Sequence, residues 1–457
     1  MLVCVTVFGC QMNKLDGDLV REALQDAGHA ITQDEDAADA VLYVTCAVRD
    51  HAERRVISRL ARLAARKREK PELLLGVLGC FAERRGPGGL IFNDCPGIDL
   101  VVGTRHFPDI ADHLEFVRQY GPLVTIGEAE FDYPGIGPAH ERARHKGVGG
   151  FVSVMRGCDN RCAYCVVPGV RGPEESRPPD AILQETENLV RRGAREVTLL
   201  GQNIDAYGKG TDTNLARLLR RIHDRIPREA GLLRLRFVTS HPRDITEELA
   251  RTVAELPRVG QHFHMPAQSG STDILRRMGR GYDADEYDRK LELVRRAAPA
   301  ASVASDFIVG FPGESEADFQ RTLALVERAR FQNSFVFKYS PRPGTRAVEE
   351  YADDVPEGAK KERHAELLRA QNGVNAQQNR SLVGTRQRIL VEGVSSRDVG
   401  RLTGRTSANA ICVFPAPGGD CAAGLVGNEV DLEITGATAL TLVGRPSFTL
   451  PLAGALP

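Results

Sequence analysis

The sequence predicts an α/β protein with three folded parts: an N-terminal doubly wound domain with a parallel sheet, a central partial βα barrel of the TIM-like kind, and a small C-terminal all-β barrel. Two observations lead to this prediction. Up to about residue 380, apolar β-branched runs alternate with amphipathic stretches, which is typical of parallel strands connected by helices. Beyond that point, short runs rich in Val, Thr, Gly and Ile indicate an all-β fold.

The composition is that of an ordinary globular protein. The chain has 457 residues, of which 42% are hydrophobic and 26% charged, enough for several domains that each bury a core. The formal net charge of −1 provides no global attraction to nucleic acid, so RNA contacts would have to come from local patches. No stretch approaches the roughly 18 to 20 apolar residues of a bilayer-spanning helix, and no basic leader precedes the first strand. We therefore expect a cytoplasmic protein without membrane contact.

The N-terminal domain is predicted over residues 1–115. Its strands are expected at Val3–Phe8, Val41–Thr45, Leu73–Leu78 and Leu100–Val102. A charged stretch containing Gly and Pro, over residues 116–143, then interrupts the pattern. This stretch is expected to be a linker with at most one hairpin.

Three cysteines of this domain, Cys10, Cys46 and Cys80, each follow a predicted strand end. The carboxyl ends of parallel strands lie on one edge of a sheet, so these thiols should converge. Three thiolates can bind three irons of a cubane cluster and leave the fourth iron open to another ligand. The alternative is that each cysteine is a small buried apolar residue, which is common for free cysteine.

The central domain is predicted over residues 144–378. Six strands are expected, at Phe151–Met155, Glu196–Leu200, Leu233–Val238, Gln261–Met265, Ser302–Val309 and Ser334–Tyr339. Six βα units favour a partial or complete βα barrel. Its ligands should gather at the carboxyl ends of the strands, where the βα loops converge.

A C-x3-C-x2-C array, formed by Cys158, Cys162 and Cys165, follows the first strand of this barrel. Three thiolates on one loop again indicate a cubane cluster with one open iron. A zinc knuckle is the alternative, but such sites use four ligands, and no fourth Cys or His lies within a short reach in the sequence.

Together these features resemble the tRNA-2-methylthio-N6-dimethylallyladenosine synthases, a family of radical S-adenosylmethionine methylthiotransferases. The resemblance is carried by segments 9–13 (GCQMN), 45–49 (TCAVR), 155–158 (MRGC), 199–203 (LLGQN), 239–242 (TSHP), 268–271 (QSGS), 306–313 (DFIVGFPG) and 339–345 (YSPRPGT). Segments 391–393 (VEG) and 402–406 (LTGRT), within the all-β part predicted over residues 379–446, resemble the family's RNA-binding TRAM domain. The alternative for this module is a purely structural role in packing between domains.

The resemblance implies two [4Fe-4S] clusters and S-adenosyl-L-methionine as cofactors. Cys158, Cys162 and Cys165 would hold the cluster that cleaves S-adenosylmethionine to a 5′-deoxyadenosyl radical, and Cys10, Cys46 and Cys80 the cluster that carries the sulfur. Tyr164 would lie against the adenine of the cofactor. Gly201, Gln202 and Asn203 occupy the position at which the family binds the amino group of the methionine part of S-adenosylmethionine. No catalytic residue is expected beyond the cluster ligands.

The implied reaction is methylthiolation of carbon 2 of N6-isopentenyladenosine at position 37 of tRNA. The implied partners are a tRNA bearing isopentenyladenosine next to the anticodon, an electron donor such as flavodoxin or ferredoxin, and a sulfur donor. A monomer is expected. A basic helical segment over residues 54–70, rich in Arg and Lys, is either a phosphate-tracking surface or an ordinary solvated helix face.

Two other functions compete with this one. The first is a methylthiotransferase that acts on threonylcarbamoyladenosine of tRNA or on an aspartate of a ribosomal protein; segments 11–13 (QMN) and 155–157 (MRG) argue against it. The second is an RNA-binding protein in which the metals are structural. The C-x3-C-x2-C array without a fourth ligand argues against that alternative.

Overall fold

The computed structural model describes residues 1–47, 50–85, 90–95, 97–127, 147–417 and 421–447. By their contacts these residues form two compact units. The first contains the described residues up to 127, together with 156–159 and 165–175. The second contains residues 147–155, 160–164 and the described residues from 176 onward.

The first unit contains a six-stranded parallel sheet. Its strands are β1 (Leu2–Phe8), β2 (Ala30–Thr32), β3 (Ala40–Thr45), β4 (Leu74–Leu78), β5 (Leu100–Val102) and β6 (Leu123–Thr125). The spatial order is β2-β1-β3-β4-β5-β6. Its helices are α1 (Gln11–Asp26), α2 (Asp50–Lys67), α3 (Cys80–Arg85), α4 (Leu90–Asp94), α5 (Ile110–Tyr120) and α6 (Val167–Arg171). The predicted doubly wound domain with a parallel sheet is confirmed.

Both faces of this sheet are apolar, which explains the near-continuous hydrophobic runs of its strands. Successive residues of β3 alternate between two core clusters: Val41 and Tyr43 pack on one face, and Leu42 and Val44 on the other. All four are fully buried. Helices therefore have to cover the sheet on both sides.

The stretch predicted as a linker begins with regular structure. Helix α5 continues to Tyr120, and β6 pairs in parallel with β5 at the sheet edge. The charged surface of α5 and the three-residue length of β6 made both hard to recognise from the pattern. Residues 128–143 of the predicted linker lie outside the described residues.

Two short segments from later in the sequence, residues 156–159 and 165–175, belong to the first unit and attach to it through Thr104. Arg156 donates from Nη2 to the Thr104 hydroxyl at 2.6 Å and from Nη1 to its carbonyl at 3.1 Å. The Thr104 hydroxyl in turn donates to the carbonyl of Val170 at 2.9 Å. The first unit is therefore discontinuous in sequence.

The second unit contains the βα barrel. Its strands are β7 (Gly149–Ser153), β10 (Glu196–Leu200), β11 (Arg234–Phe237), β12 (His262–His264), β13 (Ser302–Val309) and β14 (Asn333–Lys338). The short strands β8 (Met155–Arg156) and β9 (Glu175–Ser176) fall where the chain passes from one unit to the other. Two parallel three-stranded sheets, β7-β10-β11 and β12-β13-β14, hold the six barrel strands. One continuous hydrophobic core receives side chains from all six. These six strands are the six predicted ones, with small differences at their ends.

The helices of the second unit connect these strands. They are α7 (Pro179–Arg191), α8 (Leu215–Arg225), α9 (Glu247–Glu255), α10 (Thr272–Arg277), α11 (Ala284–Ala297), α12 (Glu316–Ala329), α13 (Arg346–Glu350) and α14 (Glu357–Ser381). Helix α12 shows why they begin where they do: Ser315 and Asp318 form a capping box at its N-terminus.

The C-terminal part is a closed five-stranded barrel, as predicted. Its strands are β15 (Arg386–Val394), β16 (Arg401–Thr406), β17 (Ile411–Pro415), β18 (Glu429–Ala437) and β19 (Leu442–Pro446), in the order β15-β16-β17-β19-β18. A short helix, α15 (Cys421–Leu425), precedes β18. Closure leaves no unpaired sheet edge. Alternate residues of its strands fill a separate core.

The turn between β16 and β17 docks against the beginnings of the barrel strands. Arg234, the first residue of β11, donates to the Arg405 carbonyl at 2.8 Å, and Ser302, the first residue of β13, donates to the Ala408 carbonyl at 2.7 Å. Arg236 donates to the Thr406 carbonyl at 2.9 Å. The small barrel thus contacts the amino-terminal end of the βα barrel and leaves the carboxyl ends of the strands to other ligands.

In the part of the chain that the structure describes, no helix is long and apolar enough to cross a membrane.

Candidate functional site

The thiols of Cys10, Cys46 and Cys80 lie at one edge of the six-stranded sheet. Cys10 is the N-cap of α1 after β1, Cys46 follows β3, and Cys80 begins α3 after β4. The strands β1, β3 and β4 are neighbours, and the strand order reverses between β1 and β3. Ligands of open α/β sheets bind at such a switch point, outside the carboxyl ends of the strands.

The side chains of Cys10 and Cys46 are in hydrogen-bond contact. This contact lowers the pKa of Cys10 to about 6, and the positive charge of Arg171 acts in the same direction. Burial raises the pKa of Cys80, while the charge of Arg171 opposes that effect. The charge of Arg171 thus acts on both the Cys10 and the Cys80 thiols and favours their thiolate forms.

Gly9 allows the first two thiols to approach. Its φ of +146° is rarely adopted by other residues, and a Cβ atom added there would collide with the Asn13 Oδ1 and lie 2.7 Å from the Cβ of Cys46. A side chain at position 9 would therefore displace both Asn13 and the loop that carries Cys46.

The three residues fit an iron–sulfur cluster. Thiolates are the donors that such clusters use, and all three cysteines are free of disulfides. Among the described residues, no three Cys, His or carboxylate side chains lie close enough together to bind one metal ion. Each thiolate of a cubane cluster binds its own iron, so its ligands do not have to meet at one point.

A buried arginine accompanies these thiols. Arg171, the last residue of α6, donates from Nε to the Cys80 sulfur at 3.1 Å and forms an ion pair with Asp16, both of its Nη atoms bonding to the carboxylate. Both charged side chains are only 5% exposed. The arginines of loop 170–177 resemble those of the family, but the sequence assigns Arg171 no partner, because its partners lie far away in the chain.

The C-x3-C-x2-C array lies in an irregular segment between β8 and α6. Its three cysteines are all partly exposed and form no disulfide. In the first unit, the Cys158 amide donates to the Gly172 carbonyl at 3.1 Å, and the Cys165 sulfur accepts from the Val167 amide at 3.4 Å. These backbone contacts hold the flanks of the array.

In the second unit, Arg280 contacts the middle of the array. Its Nη1 lies 3.4 Å from the Cys162 sulfur and 3.3 Å from the Tyr164 hydroxyl, and its Nη2 donates to the Pro266 carbonyl at 2.9 Å. Arg280 is buried. Arg280 is thus a second arginine that lies beside a predicted cysteine ligand, and the sequence did not indicate it.

The predicted cofactor-binding residues Gly201, Gln202 and Asn203 lie at the carboxyl end of β10. A Cβ atom at Gly201 would lie 2.7 Å from the Met155 side chain, so a larger residue there would require that side chain to shift. Asn203 donates to Asp244 at 2.8 Å. The Gln202 Oε1 atom is buried and has no hydrogen-bond partner among the described residues, so it can accept a hydrogen bond from an amino group.

Titratable groups line the same end of the βα barrel. Asp205 accepts from the Ser240 hydroxyl at 3.1 Å, and burial raises its pKa to about 7. His264 forms an ion pair with Asp306 at 3.2 Å. Burial alone would lower the pKa of His264, but the Asp306 carboxylate outweighs it and raises that pKa. The mouth of the barrel therefore combines an unusually basic carboxyl group with a protonatable imidazole.

Several cations of the basic segment on α2 form ion pairs within their own unit. Arg59 and Arg62 both bond to Glu35, at 2.9 and 2.8 Å. Further along the helix, Arg66 pairs with Asp36 and Lys67 with Asp99. This pattern favours the solvated helix face over the phosphate-tracking surface.

Comparisons with known proteins agree with this architecture. Residues 152–326 match the radical SAM superfamily, 2–103 the uncharacterized protein family UPF0004, and 380–446 the TRAM domain. Among solved structures, the radical S-adenosylmethionine methyltransferase TsrM from Kitasatospora setae aligns with a TM-score of 0.54 at 16% identity over 76% of each chain. The cobalamin-dependent radical enzyme OxsB aligns with a TM-score of 0.51 at 13% identity over 82% of this chain and 56% of the other. The fold is therefore that of the radical S-adenosylmethionine proteins.

Full-length relatives narrow this class to one family. The tRNA-2-methylthio-N(6)-dimethylallyladenosine synthase of Moorella thermoacetica is 40% identical over 96% of this chain and 97% of its own. The protein of the same name from Chlorobium chlorochromatii is 40% identical over 98% of each chain. The chain belongs to the family of tRNA-2-methylthio-N(6)-dimethylallyladenosine synthases.

Proposed function

We propose that this protein is a transferase that adds a methylthio group to carbon 2 of N6-isopentenyladenosine at position 37 of tRNA. The observation that carries the proposal is the placement of Cys10, Cys46 and Cys80 at adjacent strand ends of a chain that also has the C-x3-C-x2-C array. An RNA-binding protein with one structural metal would not need two sets of three thiols. Family membership supports the same reaction and substrate.

The hydrogen on carbon 2 of adenine is too weakly acidic for removal by a side-chain base, so the reaction needs radical chemistry. When bound, one [4Fe-4S] cluster with S-adenosyl-L-methionine supplies an adenosyl radical, and a second [4Fe-4S] cluster supplies the sulfur. The protein then has to bind these groups, orient them and exclude water.

We assign the following roles to the residues as part of this proposal. Cys158, Cys162 and Cys165 hold the first cluster, and Cys10, Cys46 and Cys80 hold the second. Gln202 offers its unpaired Oε1 to the amino group of S-adenosylmethionine. Gly201 and Asn203 shape that loop, and Tyr164 lies against the adenine of the cofactor.

The other parts of the molecule serve substrate delivery. The domain organisation that we propose is an N-terminal methylthiotransferase domain (1–115), a linker (116–143), a radical core (144–378) and the TRAM domain (379–446), which binds tRNA through phosphate and backbone contacts. The remaining partners are an electron donor such as flavodoxin or ferredoxin and a sulfur donor. The protein acts as a monomer in the cytoplasm.

Anaerobic purification with iron and sulfide analysis, followed by nucleoside mass spectrometry, tests this proposal. Isopentenylated tRNA is incubated with protein, reductant and S-adenosylmethionine. We expect about eight irons per chain and a methylthio mass gain on isopentenyladenosine. About four irons or zinc, together with unchanged tRNA, would contradict the proposal.

A further inference from the structure

A continuous series of polar contacts connects the thiols of Cys10 and Cys80. The Cys10 sulfur lies 3.3 Å from the Asn13 Oδ1, and the Asn13 Nδ2 donates to Asp16 at 3.4 Å. Asp16 pairs with Arg171, which donates to the Cys80 sulfur at 3.1 Å. All of these residues belong to the first unit.

The charges in this chain of contacts are costly to bury. Arg171 and Asp16 are each only 5% exposed, and their mutual attraction has to offset the loss of hydration of both. A well-packed apolar pair would often be equally stable at such a place. The Nε–H group of Arg171 donates to the Cys80 sulfur and not to a second carboxylate. This contact indicates that the arginine acts on the Cys80 thiol.

An N–H···S hydrogen bond and a nearby positive charge have a definite effect on an iron–sulfur cluster. The oxidised cluster accepts one electron from a one-electron donor, and no bond forms or breaks in that step. The reduced cluster is the more negative state, so a guanidinium group at a ligand sulfur stabilises it preferentially. Asp16 opposes this effect, because its carboxylate cancels part of the guanidinium charge.

We propose that Arg171 is a positioning residue that raises the reduction potential of the cluster held by Cys10, Cys46 and Cys80, and that Asp16 limits this increase. The inference depends on the proposed function, since it requires that these three thiols bind a cluster. It assigns a task to a residue that is neither a cluster ligand nor part of the cofactor loop. The arginine is permanently charged, so this influence does not vary with pH.

The test uses the full chain with Cys158, Cys162 and Cys165 replaced by Ala, so that only one cluster is reconstituted. Midpoint potentials are measured by redox titration monitored by electron paramagnetic resonance. In this background we expect Arg171→Met to lower the ratio of reduced to oxidised cluster at a fixed potential about tenfold, equivalent to a shift of about 59 mV for one electron. Asp16→Asn should shift the midpoint in the opposite direction.

Arg84→Met is the matched control. Arg84 lies on α3 like Cys80 and forms a similarly buried ion pair, with Glu53, but it donates to no thiol in the described contacts. This variant should keep the midpoint potential unchanged. Arg171→Lys, which keeps the charge but loses the guanidinium geometry, should give an intermediate shift.

The outcomes separate the two proposals. No cluster in the parent background would overturn the proposed function, and this inference with it. A cluster whose midpoint is unaffected by both Arg171→Met and Asp16→Asn would overturn this inference alone. Where Arg171→Met loses its iron, Arg171→Lys and Asp16→Asn decide: midpoints equal to the parent value contradict the proposal, and shifts in opposite directions support it.

Discussion

The two sets of cysteines should differ in which half of the reaction they control. Replacement of Cys158, Cys162 or Cys165 by Ala should abolish formation of 5′-deoxyadenosine, because the cluster that cleaves S-adenosylmethionine is lost. Replacement of Cys10, Cys46 or Cys80 should abolish methylthiolation but leave some cofactor cleavage. Chromatography of deoxyadenosine alongside nucleoside mass spectrometry measures both activities in one reaction.

Cys412 provides a control for these substitutions. It is fully buried in the core of the TRAM barrel, and burial raises its pKa to about 12, so it is a small apolar residue and not a ligand. Cys412→Ala should leave the iron content and both activities intact. Equal loss of both activities in the two sets of variants would contradict the division of labour.

The ion pair of His264 with Asp306 should make the stability of the protein depend on pH. The pKa of His264 is raised, so the pair contributes stability that is fully present below the ordinary histidine pKa of about 6.5 and is lost as the pH rises through the raised value. Asp306→Asn should lower the pKa of His264, as measured by nuclear magnetic resonance of labelled histidine. An unchanged pKa would show that the carboxylate does not determine it, and Asp224→Asn, at an exposed site, should have no effect on it.

At the scale of loops and helices, Gly9 is expected to control cluster assembly. Gly9→Ala introduces strain of about 1–3 kcal/mol and crowds the Cβ of Cys46, so the first two thiols move apart. We expect thermal destabilisation and a loss of about half the iron, measured by calorimetry and iron analysis.

Gly28→Ala is the matched control for that loop. Gly28 also has a positive φ, +85°, but an added Cβ would have no neighbour within 4 Å. The variant should therefore lose stability through backbone strain and keep its iron. Equal iron loss in both variants would mean that strain, and not the spacing of the thiols, explains the effect.

Helix α2 carries a prediction about tRNA. Arg59 and Arg62 both bond to the Glu35 carboxylate, which offsets one of their two charges and engages both guanidinium groups. Replacing both with Gln should therefore change the Kd for tRNA less than about twofold, as measured by filter binding at two salt concentrations. A weakening of about tenfold with a reduced salt dependence would instead show that these arginines contact phosphates.

The elements differ in how well the sequence predicts them. The barrel strands were recognisable because they are apolar and β-branched, and β13 coincides with its predicted range. The edge strands β2 and β6 have only three residues each, too few for a periodic signal. Six cysteines could be proposed as ligands from spacing and strand ends. The contact of Arg171 with Asp16 and that of Arg280 with Cys162 could not be predicted, since 155 and 118 residues separate the partners.

At the scale of the whole molecule, the discontinuity of the first unit bears on the order of its synthesis. The ribosome releases the chain from its N-terminus, and the sixth parallel strand is complete at Thr125, well before Arg156 and Arg171 are made. Until then the Thr104 hydroxyl and the Asp16 carboxylate lack their guanidinium partners. A gene fragment that stops between residues 128 and 143 would encode every strand of the sheet and still lack the two arginines that complete the unit, so this unit is not a module that can be transplanted by a single cut.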